Sequence, residues 1–223
     1  MPTALLFDLD GTLVDSIQLM LGSARHAFAD FAGTRPSDDE WRTTLGRPLL
    51  TVLREYTGSD DEANRLFQRY REYQLEHHDR LVSAYPGMVA ALRAFHTASH
   101  PLALVTSKSD WLARRALEHV GVSDLFPVLI GCDTCVNHKP HPEPVERALA
   151  QLGVAAGDAI FIGDSPHDVL SGRAAGVATI GVTWGAFARE GMVACGANRV
   201  IDSVTQLTGA VAELSARRSL QTF

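Results

Sequence analysis

Between Asp15 and Val82 the sequence holds no convincing strand, yet it interrupts a chain that otherwise alternates strand with helix. Apolar runs of the kind buried on both faces of a sheet occur at 4–10 (ALLFDLD), 101–107 (PLALVTS), 158–164 (DAIFIGD) and 177–184 (VATIGVTW). Weaker candidates lie at 127–131 and 199–202. Helical patterns at 109–121, 142–153, 166–176 and 203–216 separate them, and Gly121, Gly153 and Gly176 stand where those helices should stop. This alternation predicts βαβ units and a parallel sheet with right-handed crossovers. About 90 residues part the first strand from the second, far more than a crossover needs. The segments within that gap, 15–32, 38–44, 48–57 and 61–80, read as helices. The expected fold is therefore α/β: a Rossmann-like parallel sheet core (1–14 and 84–223) with a small α-helical cap domain (15–83) inserted after the first strand. Leu13–Ser16 and Ser83–Gly87 would connect the two, and the tail 217–223 is expected to fray.

Several function classes are disfavoured. With 46% hydrophobic and 21% charged residues, the chain has an ordinary globular composition. No apolar run approaches the roughly 20 residues that span a bilayer. The N-terminus lacks the basic segment and apolar core of a signal peptide, so a cytoplasmic location is expected. A net charge of −6 without a dense Lys/Arg block argues against nucleic-acid or membrane partners. Three cysteines (132, 135 and 195) are too few for a disulfide framework. Only two of the 20 basic residues are lysines, Lys108 and Lys139, which makes the place of each worth asking about.

In an open parallel sheet, ligands bind beyond the carboxyl ends of the strands. The first strand ends in Asp8-Leu9-Asp10-Gly11-Thr12, the second in Thr106-Ser107-Lys108, and 158–164 in Gly163-Asp164, with Asp168 four residues on. Lys139 lies in the preceding loop. A single Asp after a strand is usually a cap or turn former; the full set in this order is not explained that way. If the strand persists to Asp10, Asp8 and Asp10 lean to one face. Together with Asp164 they form an oxygen-lined acidic pocket suited to Mg²⁺. Gly11 permits a tight turn and close approach to a ligand. A coherent chemistry has Asp8 as nucleophile, Asp10 as acid and base, Thr106 and loop amides on phosphoryl oxygens, and Lys139 with Mg²⁺ neutralising charge. Asp168 would orient Lys139 or a metal-bound water.

These four motifs, Asp8 to Thr12, Thr106-Ser107, Lys139-Pro140 and Gly163 to Asp168, resemble the haloacid-dehalogenase-like hydrolase superfamily. The resemblance implies Mg²⁺ held by the Asp8 carboxylate, the Asp10 main-chain carbonyl and the Asp164 carboxylate, phosphate contacts from Thr106 and Ser107, and a mobile cap. Asp10 argues against the dehalogenase members, which typically lack it. The absence of lysine from 15–85 argues against the phosphonate-cleaving members. Phosphoester or phosphoanhydride hydrolysis remains, or phosphoryl transfer. The chain is similar to the phosphoglycolate phosphatase branch in size, cap and Tyr85-Pro86-Gly87 helix entry, and to a pyrophosphatase branch in Gly46-Arg47-Pro48 and 70–79. Sugar-phosphate mutases share the core. Arg47 is the candidate for reading a substrate anion, against the alternative of a solvated arginine. The expected partner is a small phosphorylated substrate, handled by a monomer or homodimer. A phospho-acceptor signalling module is the rival class, opposed by the helical insert and by Asp10.

Cys132 to His141 reads C-x2-C-x2-H-x2-H, which invites a zinc assignment. Only two residues separate the pairs, too few for them to fold back on one metal. A redox pair would open a helix, not follow a strand. Lys139 is expected to be the functional residue of the stretch. His77-His78 reads as a solvated helix face, Asp15-Ser16 as the N-cap of the first cap helix, and Trp41, Tyr56, Phe67, Tyr70 and Tyr73 as cap packing. Lys108 fits either the mouth of the site or plain solvent.

Overall fold

The computed structural model describes residues 2–219. The chain opens with β1 (Ala4–Phe7), which ends three residues short of Asp10; Asp8 still donates its amide to the Ile162 carbonyl of the neighbouring strand, but Asp10 forms an isolated bridge with Val14 around a turn at 11–13, so the two do not share one face of a continuous strand. Gly11 makes that turn at φ +82°. Two short strands follow from the two ends of the insertion, β2 (Val14–Asp15) and β3 (Ser83–Ala84), and pair antiparallel. Between them run α1 (Ile17–Ala27), α2 (Asp38–Arg42), α3 (Leu49–Tyr56) and α4 (Asp60–Leu81). A capping box between Ser37 and Glu40 starts α2. Ser59 caps α4 ahead of Asp60, Asp61 and Glu62, which suit its positive end.

The remainder is α5 (Met88–Thr97), β4 (Leu102–Val105), α6 (Asp110–His119), β5 (Val128–Ile130) and α7 (Glu143–Leu152). After these come β6 (Ala159–Gly163), α8 (Pro166–Ala174), β7 (Ala178–Val182), α9 (Arg189–Ala194), β8 (Arg199–Ile201) and α10 (Leu207–Ser219). The sequence pattern did not single out α9, which is six residues long. α10 carries the chain through the start of the tail expected to fray; residues 220–223 lie outside the described ones.

Six strands form one parallel sheet in the order β5-β4-β1-β6-β7-β8. β1 sits at the centre, with Leu6 beside Ala103 of β4 and Phe161 of β6. Its side chains alternate between two cores. Leu5 and Phe7 join Leu92, Leu102, Ile160 and Val211 on one face. Ala4 and Leu6 join Ala103, Val145 and Phe161 on the other. Burying each such large side chain stabilises the fold by about 1.5–3 kcal/mol. The strand order reverses at β1, between β4 and β6, and there the carboxyl ends of the strands leave a crevice.

Residues 17–81 have a separate hydrophobic cluster that includes Leu21, Phe28, Trp41, Leu53, Leu66 and Tyr70. Phe28 meets Trp41 edge-on at 5.8 Å, and Tyr70 lies 6.0 Å from the same ring. Phe67 and Tyr56 pack against this cluster, whereas Tyr73 packs against the sheet-side core. No described helix is long and apolar enough to cross a membrane.

Candidate active site

The ends of β1, β4 and β6 and the loop before α7 bring two buried ion-pair systems together. In the first, Lys139 Nζ donates to Asp8 Oδ1 (2.9 Å), to Asp168 Oδ1 (2.6 Å) and to the Val105 carbonyl (3.3 Å). Asp168 is held from its far side, where its Oδ2 accepts from the Ser165 hydroxyl and amide in a capping box at the start of α8. In the second, Lys108 Nζ donates to both oxygens of Asp10 (2.6 and 2.7 Å), and the Ser16 hydroxyl adds a bond of 2.6 Å. The only two lysines of the chain thus both sit at this crevice, each against an aspartate.

The second system decides one open alternative and revises one expectation. Lys108 is 8% exposed and is not a solvent lysine. Ser16 occupies the N-cap position of α1, but its side chain makes no capping bond and is spent on Asp10. The Lys108 pairing is not visible in local sequence, because β4 lies beside β1 only after about 100 residues of chain have folded.

Asp164 completes the crevice. One of its oxygens accepts from the Ala186 amide at 2.7 Å, so the 184–187 loop after β7 is part of the site, which the motifs did not reveal. A Cβ on Gly11 or on Gly185 would lie 2.2 Å from Asp164 Oδ2, so both positions exclude any side chain. Oxygens of Asp8, Asp164 and Asp168 come within 4.8 Å of one another, and this is the sole cluster of three or more potential metal ligands among the described residues. Cys132, Cys135, His138 and His141 do not converge; the cysteines are free, and burial raises the Cys132 and Cys135 thiols above their ordinary values.

The electrostatics follow from burial. Burial pushes the Asp8 carboxyl up to about 7, against the pull of Lys139. Burial, then the charges of Asp8 and Asp168, raise Asp164 well above the usual carboxylate range. Burial alone would lower Lys139, but Asp168 and Asp8 together raise it, so it is a firm ammonium. Asp10 behaves oppositely: burial works to raise it, yet Lys108 and Ser16 prevail and hold it low, as a carboxylate. With all three buried carboxylates ionised, the one ammonium facing them would leave two negative charges uncompensated, and the raised values of Asp8 and Asp164 register the cost of that state. One oxygen each on Asp8 and Asp164 accepts no hydrogen bond among the described residues. Hard oxygen donors with an excess of two negative charges fit a divalent cation such as Mg²⁺.

A cleft enclosing about 760 Å³, part of it open to solvent, separates this crevice from α1–α4. Asp8, Asp10, Gly11, Thr106, Ser107 and Asp164 line its floor. Thr106 Oγ1 accepts from the Lys108 amide at 3.2 Å and is otherwise turned to the cleft. Ser107 Oγ donates to the Gly46 carbonyl at 2.6 Å, so its hydroxyl joins the 45–47 loop in this conformation instead of facing a ligand. Arg47 lines the rim and is ion-paired with Glu55. His78, expected on a solvated face, is fully buried: its Nδ1 meets Asp79 at 2.7 Å and its Nε2 has no partner. His77 is the less buried member and meets Tyr73 edge-on at 4.1 Å.

Comparison with known proteins places this geometry in context. The profile of the haloacid dehalogenase-like hydrolases matches residues 5–182. The pyrophosphatase PpaX of Listeria monocytogenes is 37% identical over 183 residues, 82% of this chain and 83% of the relative. The crystal structure of a predicted phosphoglycolate phosphatase from Haemophilus somnus superposes with a TM-score of 0.86 at 24% identity, covering 94% of this chain and 97% of that one. A β-phosphoglucomutase from Clostridium difficile superposes with a TM-score of 0.84 at 22% identity, covering 99% and 100%. The two structures establish the fold alone.

Proposed function

The chain belongs to the haloacid dehalogenase-like hydrolase family, and on that premise we propose that it is a Mg²⁺-dependent phosphatase acting on a small phosphorylated metabolite through an aspartyl-phosphate intermediate at Asp8. The observation that carries the reading is the charge balance of the crevice: three buried carboxylates, one of them Asp8 at the end of the central strand, against the ammonium of Lys139. Asp8 and Asp164 would hold Mg²⁺, together with the main chain at Asp10. When bound, the ion supplies compensation for that excess charge and for a substrate phosphate.

The residues then divide the work. The free Asp8 oxygen attacks phosphorus, and the bond to the leaving oxygen breaks with its electron pair passing to that oxygen. Asp10, once protonated, gives the leaving oxygen its proton. Water next attacks the phosphorus of the acyl phosphate, Asp10 takes a proton from it, and inorganic phosphate leaves Asp8 as a carboxylate. Lys108 and Ser16 fix Asp10 beside the cleft in its carboxylate form, the form required for the second half. Lys139 neutralises charge on Asp8 and the phosphoryl oxygens, and Asp168 positions it from behind. Thr106 offers a hydroxyl to those oxygens. Residues 15–83 act as a cap, with the Gly46 loop resting on Ser107 across the cleft. Pyrophosphate hydrolysis is the second reading, favoured by the 37% identity to PpaX.

Phosphate release from a panel of phosphate esters and pyrophosphate, with Mg²⁺ and with a chelator, tests the proposal. Release should require the metal, and Asp164→Asn should raise the Mg²⁺ concentration for half-maximal rate by more than ~10-fold. Undiminished release in chelator would remove the metal from the account. The Cys132→Ser, Cys135→Ser double variant is expected to keep its rate within ~2-fold, since neither thiol belongs to the carboxylate cluster. A collapse of activity accompanied by loss of bound zinc, read by elemental analysis, would revive the zinc assignment of that stretch.

A further inference from the structure

Three basic side chains line the cleft, and they are not equivalent. Lys108 is matched by Asp10, and Arg47 by Glu55. Arg71, midway along α4, has no carboxylate within ion-pairing distance among the described residues. Its one hydrogen bond goes to the neutral Oε1 of Gln74 at 2.6 Å, and its guanidinium lies 5.0 Å over the Phe67 ring. Gln74 is itself 3% exposed, lines the same cleft, and donates no hydrogen bond from Nε2 among the described residues. Burial lowers Arg71 from its ordinary value, and Asp10 and Asp133 act on it only from beyond contact. A partly buried cation without a counter-ion is costly to maintain, whereas the same cation beside an entering anion gains charge-assisted hydrogen bonds.

Resting on the phosphatase reading above, we infer that Arg71 and Gln74 form a subsite for a second oxyanion, a phosphate or carboxylate carried on the leaving group of the substrate. The guanidinium presents a planar fork suited to two oxygens of one group, and the Gln74 amide adds a neutral donor beside it. Both sit on α4, opposite the floor that holds Asp8, so one end of the substrate is gripped by the sheet edge and the other by the helix above. A substrate with two anionic groups is then selected over a phosphate ester whose leaving group is uncharged. Arg47 does not serve this purpose in the same way, because Glu55 already satisfies it.

The test compares the wild type with Arg71→Met and Arg71→Lys on pyrophosphate, 2-phosphoglycolate and p-nitrophenyl phosphate in the presence of Mg²⁺. Arg71→Met should lower kcat/KM on at least one of the two-anion substrates by ~10-fold more than on p-nitrophenyl phosphate, chiefly through KM, and Arg71→Lys should recover part of the difference. Equal losses on all three overturn the subsite and leave the phosphatase reading standing. Absence of phosphate release from every substrate by the wild type overturns that reading and the subsite with it. A measurement on the wild type alone avoids any folding defect in the variants: inhibition of p-nitrophenyl phosphate hydrolysis by methylphosphonate, phosphonoacetate and methylenediphosphonate. At least one of the two-anion inhibitors should bind ~10-fold tighter than methylphosphonate. Phosphonoacetate in the lead identifies a distal carboxylate, and methylenediphosphonate a distal phosphate. Equal inhibition by all three overturns the subsite.

Discussion

Asp8→Asn is expected to lower kcat by at least ~10⁴-fold, about 5 kcal/mol of lost transition-state stabilisation, while leaving the fold intact. The substitution is isosteric, so Lys139 keeps an oxygen to donate to at the position of Oδ1. The nucleophilic carboxylate oxygen is lost, because an amide nitrogen cannot form the acyl phosphate. One of three crowded carboxylates is also removed, and burial together with Asp168 opposes the charge at that position in the wild type. Thermal unfolding of metal-free Asp8→Asn should therefore occur at or above the wild-type temperature. A variant that has lost its rate but not its stability separates chemistry from structure. Turnover within ~10-fold of wild type would remove Asp8 as nucleophile. Asp10→Asn should be the milder lesion, by ~10²–10⁴-fold, since acid–base assistance is lost but the nucleophile stays.

Lys139→Met is expected to act on both stability and rate. Lys139 is 4% exposed and, among the described residues, its ammonium is the only cation paired with Asp8 and Asp168. Removing one partner of a buried ion pair costs about 3–5 kcal/mol, because the remaining charge is left without compensation. In a chain of this length that corresponds to a fall in Tm of roughly 10 °C. The loss should depend on pH in a defined direction. Asp8 and Asp164 have folded-state values raised above those of an unfolded carboxylate, so the folded state binds protons and loses stability as pH rises through about 7. Without Lys139 that rise is larger. The Tm difference from wild type, read in chelator, should thus be greater at pH 8 than at pH 5.5. An unchanged Tm at both values would mean that the ammonium does not hold the carboxylates together.

The parts of this site that were legible in the sequence are those carried by strand ends. Asp8, Thr106 and Asp164 each follow a short apolar run, and a parallel sheet gathers such ends at one edge whatever the loops do. Lys139 stood out because lysine is scarce here. Contacts made across the sheet or across the cleft were not legible. Lys108 reads equally as a residue at the mouth of the site or as a solvated one until β4 is placed beside β1, when it falls on Asp10. Ala186 contributes a backbone amide, which no side-chain pattern reveals.

α4 misled for a related reason. Tyr70, Gln74 and His78 recur every four residues and are all buried, so the helix has an inward face, but its last part is polar. A search for apolar periodicity finds the first half of that face and assigns the rest to solvent. The physical cause is that the helix passes from the apolar cluster of residues 17–81 to a cleft lined with charge. The weak strands at 127–131 and 199–202 were marginal by sequence because each is a three-residue edge strand in the folded sheet. Position in the sheet decided their length, and sequence carries little record of it.

The central claim is that phosphate passes through a covalent bond to Asp8. The most direct measurement mixes the protein with ³²P-labelled substrate and Mg²⁺, quenches in acid within milliseconds, reduces the protein with borohydride and maps the labelled or reduced residue by mass spectrometry. The account predicts acid-stable protein-bound phosphate, and homoserine in place of aspartate at position 8 after reduction. Sustained release of inorganic phosphate with no trapped label and an unmodified Asp8 would contradict it, and would point to direct attack by water.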